Sequence, residues 1–273
     1  MKIDYISDIH ENFYVGRDFY SYKSFVEYIW KDHEIGDILI LAGDISESSE
    51  DLVDFLKYIQ EVKNYKKIFY IPGNHDLYRE SPIFTLEEKY EKLKKSIEPL
   101  NNIYFLDGNI FYVNGYKLSG LSMWYDMSYF KEHKQYLTGT SLKKAYLQLW
   151  RETLLDSSRT TSDPVEFFLS QKKKLEKIYK EVDIFVSHVN PVNIDSFFPT
   201  KYRGNIINTF FCFNGLKFIK NGSIKHWIFG HTHDNLEFSL FDTKFHCNPL
   251  GYPNENKQEG TFIKQIILKD INE

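Results

Sequence analysis

The amino-acid sequence predicts an α/β fold, because its opening part alternates apolar, strand-forming runs with stretches of helical periodicity. Several of those runs are continuously apolar, which is typical of parallel strands buried on both faces. Ligands of such sheets bind at the carboxyl ends of the strands. Clusters of Asp and His stand at just those positions in this chain, so one pattern predicts both the fold class and the place of a site.

The first predicted strand covers residues 2–7 and ends at Asp8-Ile9-His10. Apolar residues with helical spacing predict a helix over 21–32. The predicted strand 37–42 is continuously apolar after Asp37 and ends at Gly43-Asp44, where glycine breaks the strand. These segments predict the first β-α-β unit of the sheet.

A second helix is predicted over 49–63, with Ser49 as its N-cap and an apolar stripe that includes Leu52 and Leu56. The apolar run 68–72 then leads into Gly73-Asn74-His75-Asp76. An amide, an imidazole and a carboxylate therefore stand side by side where a third strand ends. A further helix is predicted over residues 85–97.

Shorter strands and one long interruption follow. Asn114-Gly115 separates two strand-like runs and predicts a hairpin. The segment 122–170 mixes aromatic, helical and polar stretches, and we interpret it as an insertion over the strand ends of a single domain, 1–273. The other predicted strands are 103–106, 110–113, 117–121, 183–187, 227–229, 237–241, 244–247 and 261–268, and the other predicted helices are 170–180 and 214–221.

Composition excludes several classes of protein. Two cysteines, Cys212 and Cys247, cannot form a disulfide framework or a four-cysteine zinc site. A net charge of −4 gives no general electrostatic footprint for nucleic acid. No apolar run approaches the roughly 20 residues of a membrane span, and acidic residues interrupt the N-terminus where a signal peptide is apolar. We therefore expect a cytoplasmic protein.

Five polar clusters carry the candidate chemistry, and each follows a strand-like run. They are Asp8-x-His10, Gly43-Asp44, Gly73-Asn74-His75-Asp76, His188 and Gly230-His231-Thr232-His233. Mixed imidazole and oxygen ligands suit a divalent metal of borderline hardness. Two such ions about 3.5–4 Å apart can clamp the attacking and leaving oxygens of a phosphoryl displacement.

In this order and spacing, the clusters resemble the calcineurin-like metallophosphoesterase superfamily, from Asp8 to His233. Residues 120–126 and 247–253 are similar to two segments of a bacterial-type subgroup. The resemblance implies a four-layer α-β-β-α sandwich of two mixed sheets flanked by helices. It also implies hydrolysis of a phosphomonoester or phosphodiester by water activated on two metal ions.

The resemblance also assigns ligands to the two ions, with the Asp44 carboxylate shared between them. The first set is Asp8, His10, His233 and Asp44, and the second is Asp44, Asn74, His188 and His231. Mn²⁺, Fe, Zn²⁺ or a mixture would satisfy these ligands. His231 and His233 would point to opposite faces of a regular strand, as would Asp8 and His10. Each pair therefore requires a turn.

By the same resemblance His75 acts on the phosphate, with Asp76 orienting its ring. A neighbouring carboxylate raises the pKa of an imidazole and favours its cationic, donating form. Arg159 stands where the subgroup often carries an Asp-Tyr-Arg-like stretch, and its guanidinium would suit a phosphate oxygen. A solvated arginine is the alternative interpretation of Arg159.

Two other functions remain open. A nuclease would need a basic groove that tracks a phosphate backbone, and the acidic balance does not indicate one. A non-catalytic scaffold, like the retromer subunit of this fold, would lack part of the catalytic set, whereas His75 and all seven ligands are present here. We therefore expect a small phosphoester substrate, with specificity in the segments 122–170 and 193–210. The sequence does not indicate the oligomeric state.

Overall fold

The computed structural model describes residues 1–80, 85–255 and 262–269. Eleven strands lie within these ranges: β1 Lys2–Ile6, β2 Ile38–Leu41, β3 Lys67–Tyr70, β4 Ile103–Phe105, β5 Phe111–Val113, β6 Tyr116–Gly120, β7 Ile184–Val186, β8 His226–Phe229, β9 Leu236–Leu240, β10 Thr243–Cys247 and β11 Lys264–Ile267. They form a five-stranded sheet in the order β11-β1-β2-β3-β4 and a six-stranded sheet in the order β5-β6-β7-β8-β10-β9. Helices flank the two sheets, so the predicted four-layer α-β-β-α sandwich is confirmed.

Both sheets are mixed. Strands β1 to β4 are parallel, and β11 joins them as an antiparallel edge. In the second sheet β6, β7, β8 and β10 are parallel, and β5 and β9 are antiparallel edges. The carboxyl ends of β1, β2, β3, β7 and β8 carry all five polar clusters.

Strand β2 explains why its sequence is continuously apolar. Ile38 and Ile40 belong to the core between the two sheets, whereas Leu39 and Leu41 belong to the core beneath the helices. Successive side chains of a strand point to opposite faces, and here both faces are covered. All four side chains are at most 2% exposed. The buried, parallel character predicted from the sequence follows from this double covering.

Nine α-helices occur in the described ranges: α1 Glu11–Tyr14, α2 Tyr22–Ile29, α3 Ser49–Lys63, α4 Leu86–Ile97, α5 Ser128–His133, α6 Gly139–Thr153, α7 Asp156–Arg159, α8 Pro164–Ile178 and α9 Leu216–Asn221. The N-cap of α3 is Ser48, not Ser49, because the Ser48 side chain accepts a hydrogen bond from the Asp51 amide. Helix α8 begins six residues before the predicted start at residue 170, since Asp163 caps it and Pro164 occupies its first turn.

The hairpin predicted at Asn114-Gly115 is confirmed. Strands β5 and β6 pair antiparallel, with Phe111 opposite Leu118. Asn114 and Gly115 have φ angles of 47° and 83°, the left-handed values that a tight two-residue hairpin turn requires.

The last predicted strand, 261–268, begins at residue 261, which lies outside the described residues; within the described part β11 covers Lys264–Ile267. No helix in the described ranges combines the length and the apolar character needed to cross a membrane.

Candidate metal centre

The backbone turns sharply at the residues that carry the candidate ligands. Asp8, His10, Asp44, His231 and His233 have φ angles of 51°, 46°, 57°, 68° and 50°. The left-handed region is uncommon for residues other than glycine and is concentrated at functional sites. Each strand therefore ends abruptly, and residues two positions apart turn toward one cleft. The turns expected at both pairs are present.

A first group of possible metal ligands consists of Asp8, His10 and His233. The Nε2 atoms of the two histidines are 3.2 Å apart, and His233 Nε2 lies 3.5 Å from Asp8 Oδ1. His10 Nε2 is also 3.9 Å from Asp44 Oδ2, which links this group to the next one. These side chains follow β1 of one sheet and β8 of the other, so the packing of the two sheets brings the group together.

A second group consists of Asp44, His188 and His231. His188 Nε2 lies 3.3 Å from Asp44 Oδ2 and 3.1 Å from Asn74 Oδ1. Asp44 is thus near the imidazoles of both groups. The two groups contain six of the seven ligands that the family resemblance implies, and the seventh, Asn74, lies beside His188. A third group of possible ligands, His10, Asp44 and His75, overlaps both.

The hydrogen bonds of the histidines indicate that this edge suits a cation. His188 Nδ1 is 2.8 Å from the Ala42 carbonyl, and His231 Nε2 is 2.9 Å from the Phe210 carbonyl. A carbonyl oxygen only accepts, so these two nitrogens carry the protons and the other ring nitrogens present lone pairs. The His233 Nδ1 atom is held in the same way by Glu255, at 2.6 Å.

The remaining ring nitrogens of these histidines lie close to ionised carboxylates. Burial raises the pKa of Asp8, but the hydrogen bond to His233 and the charge of His188 outweigh it and lower the pKa to about 2. Burial lowers the pKa of His188, yet the nearby Asp44 carboxylate raises it to about 9. The buried carboxylates thus favour positive charge at this position, and a divalent metal ion supplies it. The residues present fit such an ion.

His75 lies beside both groups, and its ring contacts a carboxylate and a phenol. Its Nδ1 is 3.2 Å from Glu47 Oε1, and its Nε2 is 3.2 Å from the Tyr252 hydroxyl. Burial lowers the pKa of His75, but the Asp44 charge and the hydrogen bond to Glu47 reverse that effect and raise it above the usual value. These contacts therefore favour the cationic, donating form of the imidazole.

The structure does not support the prediction that Asp76 orients the His75 ring. The Asp76 carboxylate is buried, and the two loops that follow β2 and β3 donate backbone amides to it. It accepts hydrogen bonds of 2.7–2.9 Å from the backbone amides of Asp44, Ile45, Ser46 and Gly73. Asp76 therefore joins the two loops through hydrogen bonds, and Glu47 is the carboxylate that contacts His75.

Asn74 is oriented by a carboxylate that the sequence did not reveal. Asp156 Oδ1 accepts hydrogen bonds from Asn74 Nδ2 at 2.8 Å and from the Tyr78 hydroxyl at 2.5 Å, and its Oδ2 accepts from the Tyr125 hydroxyl at 2.7 Å. Because the Asn74 nitrogen is engaged, the Asn74 oxygen must face His188. The predicted insertion thus contributes a residue directly behind the candidate ligands.

Arg159 does not lie in the cleft that contains the candidate ligands. Its guanidinium lies over the Tyr78 ring, 5.9 Å from the ring centroid, and is not among the residues that line that cleft. There it lines an open cavity of about 760 Å³ together with Glu47 and Arg79. The predicted contact with a phosphate oxygen is not supported by this position.

Glycine at position 73 leaves room for the carboxylate of a candidate ligand. Its φ is not in the left-handed region, but a β-carbon there would overlap the Asp44 carboxylate. Gly43 combines both constraints, with a φ of 91° and a β-carbon position 2.5 Å from His188 Nδ1. Glycine is required at both positions by the close approach of candidate ligands.

A cleft of about 270 Å³ lies beside the candidate ligands and is lined by Asn74, His75, His231, His233 and Tyr252. Sequence reasoning missed the outer residues Glu47, Asp156, Tyr252 and Glu255. A signal existed for Tyr252 alone, because it stands in the segment 247–253 that resembles the bacterial-type subgroup. The others are single acids without a motif.

A sandwich that gathers buried Asp and His residues at the carboxyl ends of its parallel strands defines a class of metal-dependent hydrolases. The particular family follows from the sequence: the calcineurin-like phosphoesterase profile matches residues 1–235. The chain belongs to this family, whose members use divalent metal ions.

Two relatives illustrate how far the likeness extends. An uncharacterized protein, L509, of Acanthamoeba polyphaga mimivirus is 26% identical over 287 aligned positions, which cover 98% of this chain and 98% of that protein. The crystal structure of the phosphopantetheinyl hydrolase PptH from Mycobacterium tuberculosis covers 98% of this chain and 96% of its own, with a TM-score of 0.71 and 16% identity. At that identity the second likeness concerns the fold alone.

Proposed function

We propose that this protein hydrolyses a phosphomonoester or phosphodiester of a small molecule at a centre of two metal ions. One observation carries the proposal. The protons of three histidines are tied to carbonyl or carboxylate oxygens, so their remaining ring nitrogens lie close to the ionised Asp8 and Asp44 carboxylates. Without a metal ion, protons on His188 and His233 balance this negative charge, because the neighbouring carboxylates raise the pKa values of the two rings to about 9 and about 10; a metal ion would take the place of those protons.

The ions would be held by two sets of residues that share Asp44. Asp8, His10 and His233 complete the first set, and Asn74, His188 and His231 complete the second. When bound, such ions polarise phosphoryl oxygens and lower the pKa of water. Mn²⁺, Fe, Zn²⁺ or a mixture is compatible with these nitrogen and oxygen donors.

In this proposal His75 donates a proton or hydrogen bond to an oxygen of the phosphoryl group. Its Nδ1 is occupied by Glu47, which leaves Nε2 as the nitrogen that faces the cleft, beside the Tyr252 hydroxyl. The raised pKa of His75 favours the cationic ring, which can donate to a developing negative charge from Nε2 while Nδ1 is held by Glu47. Tyr252 also stacks on His10, with ring centroids 4.5 Å apart, and so closes one side of the cleft.

The test compares site variants with variants of exposed residues of the same type. Asp44→Asn and His75→Ala are measured against Asp242→Asn and His133→Ala, all purified folded and loaded with Mn²⁺. We expect the two site variants to lose at least about 100-fold in hydrolysis of a chromogenic phosphoester, the scale of a lost transition-state donor. The exposed variants should retain the wild-type rate. Equal rates for all four would overturn the proposal.

A panel of substrates separates the alternatives. Phosphomonoesters, cyclic nucleotides, dinucleotides and short single strands are offered to the same metal-loaded protein. Turnover of small esters fits the proposal, whereas turnover of strands alone would indicate a nuclease. Absence of both turnover and bound metal would indicate a non-catalytic scaffold.

A further inference from the structure

A second, mostly apolar pocket adjoins the cleft of the candidate metal centre. It has a volume of about 240 Å³, and its walls are contributed by the segment 198–211 and Thr232. Three of its lining residues are aromatic: Phe198, Tyr202 and Phe211. Asn205 contributes an amide to the same pocket.

The pocket and the cleft are continuous. Tyr202, Phe211 and Thr232 line both of them. The Phe211 ring also packs on the ring of the candidate ligand His231, with centroids 4.9 Å apart. The pocket therefore begins one aromatic ring away from the place where a phosphate would bind. A group that occupies it must be joined to that phosphate by a linker of several bonds.

The pocket wall is fixed by internal hydrogen bonds rather than formed on demand. The Asn208 amide donates to the Tyr202 carbonyl at 2.7 Å, and Arg203 Nε donates to the Phe198 carbonyl at 3.1 Å. The Asp195 carboxylate accepts from the Gly204 amide at 3.1 Å and from the Tyr129 hydroxyl at 2.6 Å. A preformed pocket loses less entropy when it binds a ligand.

The lining determines what the pocket can hold. Water in an apolar space makes few hydrogen bonds, so an apolar group gains by displacing it. Aromatic side chains favour flat rings, which they contact by stacked or edge-to-face packing. An amide at the same pocket can exchange hydrogen bonds with ring nitrogens or carbonyls.

Building on the proposed function, we propose that this pocket holds a flat aromatic ring of the substrate, joined to the phosphate through a short polar linker as a base is in a nucleoside monophosphate. The substrate is then an aromatic-bearing phosphoester, and the segment 198–211 determines specificity. Ile207, which lines the pocket, is the position from which a larger side chain would fill it.

The test uses a pair of compounds that differ only in the ring. Adenosine 5′-monophosphate is compared with ribose 5-phosphate, and the methyl esters of both are used to include diesterase activity. Ile207→Trp fills the pocket. Ile206→Trp is the matched control, since Ile206 lies beside Phe130 and Ala145, outside the pocket. The ratio of kcat/KM for the adenosine compound to that for the ribose compound should fall about tenfold in Ile207→Trp, as for a lost base stack, and stay unchanged in Ile206→Trp.

An unchanged ratio in Ile207→Trp would overturn the inference while leaving the proposed function intact. If the wild type hydrolyses none of the four compounds, equilibrium dialysis of the metal-loaded protein decides the inference separately. The wild type should then bind adenosine monophosphate about tenfold more tightly than ribose phosphate, and Ile207→Trp should not. That result would support the ring-binding pocket even though hydrolysis was not observed. Equal binding of both compounds by the wild type would reject it.

Discussion

Asp156→Ala tests whether Asp156 orients the side chain of the candidate ligand Asn74. The substitution removes the carboxylate that accepts the Asn74 Nδ2 hydrogen at 2.8 Å, inside a fully buried setting. Without that partner the amide can rotate and turn its NH₂ group, which cannot bind a metal, toward His188. The change therefore acts on metal binding through Asn74, although Asp156 itself belongs to neither ligand group.

The expected loss of metal affinity follows from the one charge-assisted hydrogen bond that the substitution removes. Such a bond contributes about 1.5–3 kcal/mol, and about 1.4 kcal/mol corresponds to a factor of ten. We therefore expect the affinity for the second metal ion to fall about 10- to 100-fold, which is also the usual effect of removing an outer-shell partner. The free energy of unfolding should fall as well, because the Tyr78 and Tyr125 hydroxyls lose the same acceptor.

The assay is a Mn²⁺ titration against a chelating dye, with thermal unfolding recorded on the same samples. Tyr125→Phe is the control, because it removes a donor to the opposite oxygen of Asp156 and leaves the Asn74 contact in place. It should lower stability without changing metal affinity. If Asp156→Ala binds both ions as tightly as Tyr125→Phe does, the positioning role of Asp156 is refuted.

Three further predictions concern protons and metal. Glu47→Gln removes a carboxylate that raises the His75 pKa, so the pKa of His75 should fall. In the proposed function the protonated ring is the active form, and it is lost as the pH rises through that pKa. The alkaline limb of the kcat profile should therefore move to lower pH. Without metal the pKa values of His188 and His233 are about 9 and about 10, so metal binding at neutral pH must release protons from these rings. The metal affinity should therefore rise with pH, and calorimetric heats of metal binding should depend on the buffer. Removal of metal by a chelator should lower Tm, and Mn²⁺ at about 100 times its Kd should restore about 2.7 kcal/mol.

The sequence predicted the place of the site because its strands are buried and parallel. A strand buried on both faces leaves a continuous apolar run, and the polar cluster after it marks the carboxyl end. Asp44 and His188 could thus be assigned to one edge, although 144 positions separate them. The sequence also predicted a turn at each of the pairs Asp8/His10 and His231/His233, since residues two apart on a regular strand point to opposite faces. That the turns are left-handed is seen only in the structure.

The partners of the ligands could not be predicted, because they depend on packing between distant segments. Glu47 lies 28 positions from His75, and Asp156 lies 82 positions from Asn74, on a helix of only four residues. Neither acid stands in a periodic pattern or a motif. Asp76, by contrast, is adjacent to His75 in sequence, but its carboxylate points to backbone amides instead.

In the proposed centre the Asp44 carboxylate is shared between two metal ions. The most direct measurement is the metal content of the protein after Mn²⁺ loading and desalting, by mass spectrometry of the elements, for the wild type, Asp44→Asn and the exposed control Asp242→Asn. We expect two ions per chain in the wild type and in the control, and fewer than two in Asp44→Asn. A wild type that retains no metal, or an Asp44→Asn variant that retains both ions, would contradict this proposal.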